Sequence, residues 1–143
     1  MADKHFFTTR FTEWKNGETS NPLLAMCKSL MTEELFKHQH VFYKISNATK
    51  FEEAFQLMVD DLFKYTVKLE YVLVLITFCL LLDECMTREC DWYTPEILIN
   101  ILCKSLCKVN FDFRILIQKP KEQNRSCYKF LTIVPLLFFC YNI

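Results

Sequence analysis

Eight cysteines and three histidines are the residues of this 143-residue chain best suited to chemistry. They could support metal binding, thiol redox exchange or nucleophilic catalysis. Their spacing argues for none of these. Cys103 and Cys107 stand one helical turn apart and Cys85 and Cys90 five residues apart, so neither pair has the C-x-x-C spacing of zinc sites. His38 and His40 stand at i and i+2, where the two rings on a helix point apart and read as solvated surface. No Ser-His-Asp or Cys-His spacing argues for catalysis. A cysteine-dependent enzyme or redox protein would need an exposed thiol of lowered pKa. Several cysteines lie inside apolar runs, where a reduced thiol behaves as a small hydrophobe. The opening MADKHFFTTR is polar within four residues and carries no apolar signal segment, so reduced thiols in an intracellular compartment are expected rather than a disulfide framework. For the same reason the sequons Asn47-Ala48-Thr49 and Asn124-Arg125-Ser126 are expected to be unmodified. No metal or cofactor is expected.

The whole-chain balance narrows the function classes further. Seventeen basic and seventeen acidic residues are intermixed and cancel, which leaves no electrostatic footprint for nucleic acid or an anionic membrane surface. Gly17 is the sole glycine. One glycine cannot build phosphate-cradling loops or the tight turns of hairpins, so nucleotide-binding α/β folds and β-meanders are disfavoured. The length fits one domain with a substantial core.

The elements that must position any site read as helices. Phe7, Phe11 and Trp14 share one helix face over residues 6–14, and Asn16-Gly17 ends it. Asn21-Pro22 is an N-cap followed by proline at the first helical position. It opens an amphipathic helix through Leu23, Cys27, Leu30, Met31 and Leu35 to about His38. Val41, Phe42 and Ile45 form a further short apolar turn. Thr49-x-x-Glu52 reads as a capping box. Behind it Phe51, Phe55, Met58, Val59, Leu62, Phe63 and Thr66 make the clearest stripe in the chain. Thr94-Pro95 repeats the cap-plus-proline signature and opens a helix through Leu98, Leu102, Ser105 and Val109. Asn110 is expected to cap a short continuation to Gln118, stopped by Lys119-Pro120. The last uncharged stretch, 130–143, contains Pro135 and reads as a packed terminal helix interrupted at the proline. Weak membrane association or a partner-facing surface is the alternative for it.

Between these lies the run YVLVLITFCLLL at 71–82, flanked by Lys68 and Glu70 before it and Asp83 and Glu84 after it. A twelve-residue helix covers roughly 18 Å against a hydrocarbon core of about 30 Å, so its home is a protein interior. A helix with no polar face must be surrounded by other elements. The expected fold is an all-α, single-domain bundle of seven or eight helices over residues 1–143, around a central apolar helix from about Val67 to Asp83.

Asp61-Leu62-Phe63, Val67 and the run to Cys85 (DLFKYTVKLEYVLVLITFCLLLDEC) resemble the most recognisable stretch of the Bcl-2 family of apoptosis regulators. In that family an amphipathic helix ending in [Glu/Asp]-Leu-Phe leads into Gly-Val-Asn-Trp-Gly-Arg and then into an apolar central helix with a Phe-Gly-Gly step. Asp-Leu-Phe and Val67 match, and Phe78 falls at the phenylalanine of Phe-Gly-Gly. NFDFRILIQ at 110–118 is similar to the family segment ending in Trp-Ile-Gln, Tyr128-Lys129-Phe130 sits near the end of that second motif, and 24–45 resemble the two helices of one groove wall. The motif's Asn, Trp, Gly and Arg are replaced by Lys68, Leu69, Glu70 and Tyr71, and the glycines of the central helix by Cys79 and Leu80. Such erosion within an intact pattern resembles a viral pro-survival homologue from a large DNA virus, of the fish iridovirus kind.

The resemblance implies a Bcl-2-like fold and helix-in-groove recognition, in which an amphipathic pro-apoptotic BH3 helix lays its apolar face into a hydrophobic groove. By register the groove floor takes Met58, Leu62, Leu73, Val74 and Phe78, and the wall Leu35, Phe42, Ile45 and Phe55. The family's arginine pairs with an aspartate of the bound helix, and Tyr71 stands in its place. Lys68, one turn earlier, is the substitute cation, and Glu70 adds bulk and charge that exclude some partners. The implied function is non-enzymatic: sequestering Bim-like and Bak/Bax-like BH3 proteins in the host cell cytoplasm, with association to mitochondria as a variant, to block death of an infected cell. A rival within the fold has a closed groove and binds an innate-signalling adaptor through its outer surface. Apolar surface beside a groove would also allow a homodimer.

Overall fold

The computed structural model describes residues 2–31, 47–64 and 67–117. Six α-helices and no strand occur among them, in an all-helical bundle: α1 (Ala2–Lys15), α2 (Pro22–Ser29), α3 (Ala48–Leu62), α4 (Leu69–Glu89), α5 (Pro95–Lys108) and α6 (Arg114–Ile117).

Side-chain caps open α2, α3 and α6, and several boundaries differ from the sequence expectation. Asn21 caps α2, its side chain accepting from the Leu23 N–H at 2.9 Å, with Pro22 at the first position. This helix ends at Ser29 and not near His38. The Ser29 hydroxyl donates to the Met26 carbonyl at 2.7 Å and the Leu30 N–H returns to the last turn, closing the helix with side-chain and backbone bonds of its own. The apolar turn at Val41, Phe42 and Ile45 lies outside the described residues, as does the terminal stretch 130–143.

The capping box also moves. Asn47, extended at φ −154°, is the N-cap of α3, and its side chain accepts from the Lys50 N–H at 2.9 Å, which leaves Thr49 inside the helix. Thr94 precedes Pro95 at the start of α5 as expected, without a side-chain capping bond. At α6 the cap is Asp112, which accepts from the Arg114 N–H at 3.0 Å, while Asn110 turns the chain in the left-handed region at φ 56°.

The apolar run becomes α4, from Leu69 to Glu89, about 31 Å long at 1.5 Å per residue. It runs six residues beyond Asp83, the expected end. Every residue from Tyr71 to Asp83 is buried. Around it pack α1, α2 and α5. Helix α3 closes the remaining side, its Phe55 ring stacked on Phe78 of α4 with centroids 6.4 Å apart and planes 2° from parallel. The phenylalanine stripe therefore meets the central helix ring to ring. Phe51 continues it to Phe55 at 5.6 Å and to Trp92 at 5.7 Å. Phe7 of α1 reaches Phe113, just before α6, at 5.9 Å. No helix among the described residues is long and apolar enough to cross a membrane.

Candidate interaction site at the start of the central helix

Helices α3 and α4 position nine of the residues that the resemblance assigns to a groove. Phe55, Met58, Leu62, Leu73, Val74 and Phe78 all belong to the core, none more than 6% exposed. Leu35, Phe42 and Ile45 lie outside the described residues. The structure thus buries the floor residues in one core, with the Phe55–Phe78 ring contact joining α3 to α4.

The start of α4 is more open. Lys68 is its N-cap, extended at φ −112° and ψ 146°, and makes no side-chain capping bond. Its ammonium stands 5.9 Å from the centroid of the Tyr71 ring, within reach of the ring's negative face. Tyr71 itself is 8% exposed. Lys68 is exposed, as is its neighbour Val67, and Leu57 on α3 is 52% exposed. Glu70 is half-buried in the first turn, where the positive end of the helix dipole favours a carboxylate. Lys68 and Tyr71 present a cation over an aromatic ring, with the exposed Val67 next to them in the chain. Such a surface suits an amphipathic segment that carries a carboxylate.

The far end of the apolar run, inside α4, holds a polar cluster that sequence reasoning missed. Asp83 is 1% exposed. Its carboxylate accepts a short hydrogen bond from the Tyr93 hydroxyl and pairs with the Lys15 ammonium at 3.0 Å. Beside it the Trp14 indole N–H donates to Glu84 at 2.6 Å. Burial first, and then the neighbouring Asp83 charge, push the Tyr93 hydroxyl far above the ordinary phenol range. Tyr93 is therefore a donor and never an anion at working pH. A carboxylate inside an apolar helix was the one available signal; nothing in the spacing pointed to partners at Lys15 and Tyr93.

The thiols follow burial. Cys27, Cys79, Cys85 and Cys90 are buried. Burial pushes Cys27 up to about 12, opposed by a hydrogen bond with Thr77, and pushes the other three above their usual value. A buried protonated thiol is a poor nucleophile and metal ligand. Cys103 is half-buried and Cys107 exposed, and Cys127 and Cys140 lie outside the described residues. Among the described residues no group of three His, Cys, Asp or Glu side chains converges to hold a metal ion.

Comparison with protein-family models, with curated proteins and with solved structures finds no match to this chain.

Proposed function

We propose that this chain is a viral inhibitor of apoptosis with a Bcl-2-like fold, which captures the BH3 helix of Bim-like or Bak/Bax-like proteins in the host cytoplasm and so blocks mitochondrial cell death. The observation that carries the reading is Lys68. It is exposed at the start of the central helix, with its ammonium over the Tyr71 ring, one turn from the place where the resembled family keeps its aspartate-binding arginine. A cation there can meet the aspartate of a bound helix at the rim of the contact, where such a pair is worth on the order of 1 kcal/mol.

The buried floor sets the affinity. Phe55, Met58, Leu62 and Phe78 must be uncovered before a helix can lie on them. If only a fraction of molecules is open, the apparent dissociation constant rises in inverse proportion to that fraction. Binding weaker than that of a preformed groove follows. Calorimetric titration with a panel of BH3 peptides tests this. Binding of at least one peptide below about 10 μM, roughly −7 kcal/mol, is the expected result, and failure of all of them overturns the reading.

The same burial favours a second reading. A bundle whose floor stays covered would act through its outer surface, on an innate-signalling adaptor. Retained structure with no BH3 binding, together with capture of an adaptor domain, would select it.

A further inference from the structure

On the flank of α3 that faces α5 lies a cleft of about 350 Å³. That is the lower end of the range for ligand pockets, enough for one long side chain and a short stretch of backbone. Its apolar base is Ile97 and Ile101 of α5, half-buried and buried. Glu52 and Glu53 of α3 stand on one side, Asn100 and Lys104 of α5 on the other, all four exposed. Gln56 closes the cleft between the helices. Its Nε2 donates to Asp60 at 2.9 Å and to Ser105 at 2.8 Å, which spends both amide hydrogens and leaves Oε1 as an acceptor.

The charge in this cleft is unbalanced. Asp60, one turn further along α3, is paired with Lys108 at 3.8 Å, yet Glu52, Glu53 and Lys104 form no ion pair among the described residues. Two carboxylates and one ammonium leave the walls negative above an aliphatic base. An aliphatic occupant would desolvate those carboxylates without compensation, and an acidic one would be repelled. A long cationic side chain satisfies both parts, its methylene stem on the isoleucines and its charge at the carboxylates. Arginine fits better than lysine, because its guanidinium offers five N–H donors to a cleft lined by two carboxylates and two amide oxygens.

We propose that the α3–α5 cleft is a docking site for an arginine-bearing segment of a partner protein, with an aliphatic residue beside the arginine. It is separate from the start of α4 and does not rest on BH3 binding.

The probe is the capped dipeptide N-acetyl-Ile-Arg-amide, titrated into the full ¹⁵N-labelled chain, with N-acetyl-Ile-Glu-amide as the charge-reversed control. Saturable shifts of the Gln56 and Asn100 side-chain amides with a dissociation constant of about 1 mM are expected, and none with the control. The double change Glu52→Gln with Glu53→Gln should weaken binding at least about fivefold, and Lys104→Gln should tighten it about twofold by removing the opposing charge. Unchanged circular dichroism separates lost binding from lost fold, and a tightened site in Lys104→Gln cannot arise from unfolding. Shifts that do not saturate, that are equal for both probes, or that survive the glutamate changes overturn the proposal.

Discussion

The two ends of the apolar run at 71–82 look alike in sequence and have become opposites in the structure. Each end of the apolar run carries charged residues, Lys68 and Glu70 before it and Asp83 and Glu84 after it. At the start, Lys68 remains exposed and stands over the Tyr71 ring. At the far end, Asp83 is swallowed by the core and held by Tyr93 and Lys15. The difference lies in the neighbours. Asp83 meets the end of α1 and the loop that enters α5, and two donors from those elements compensate its desolvation. A charge that finds such partners becomes structure, and one left in solvent stays available for recognition.

Breaking the buried end should have the largest effect. Asp83→Ala strands the Tyr93 hydroxyl and leaves Lys15 unpaired, and should cost about 3 kcal/mol of stability in urea unfolding. Glu70→Ala at the open end should change stability by no more than about 0.5 kcal/mol. Equal losses would erase the distinction. Tyr93→Phe should cost about 1.5–2 kcal/mol, since it removes a hydrogen bond to a charged acceptor.

The same tyrosine gives a pH signature. Its folded pKa lies above the unfolded value of about 10, so its contribution is complete below about pH 10 and is lost as pH rises beyond that toward the folded value. Denaturation midpoints taken from pH 8 to 11 should fall more steeply for the parent chain than for Tyr93→Phe. Parallel curves would mean that burial and the neighbouring Asp83 do not raise the Tyr93 pKa in the folded chain.

The open end should respond in binding and not in stability. Lys68→Ala should weaken BH3 peptides about tenfold, near 1.4 kcal/mol, with an unchanged melting temperature, while Tyr71→Phe keeps the ring under the ammonium and should change affinity less than about threefold. The reverse order would remove Lys68 from the role of substitute cation. Glu70→Gly should have the smallest effect, a gain of no more than about twofold for peptides that the parent chain binds poorly.

How far the sequence could be read follows from which interactions are local. Proline at the first helical position, after Asn21 and after Thr94, located the starts of α2 and α5, because that preference is decided within one turn; only Asn21 adds a capping bond. The stripe of Phe51, Phe55, Met58, Val59 and Leu62 gave α3 and its buried face for the same reason of periodicity. The cap of α3 was misplaced by two residues, since Thr49 and Asn47 are both good caps and only backbone geometry separates them. The end of α4 was misread because Asp83 is polar by type and buried by context. Its partners lie 68 residues before it and 10 after it, a distance that no local pattern spans. At the candidate site the apolar floor was legible as an apolar set, whereas its burial depends on what packs over it.

The most direct test of recognition at the start of α4 is a charge swap read by calorimetry. Lys68→Glu should lose binding to a BH3 peptide carrying its aspartate and regain at least about tenfold with a peptide in which that aspartate is replaced by arginine. Equal binding of both peptides to the parent chain and to Lys68→Glu would contradict a role for Lys68 as the cation that meets the bound helix.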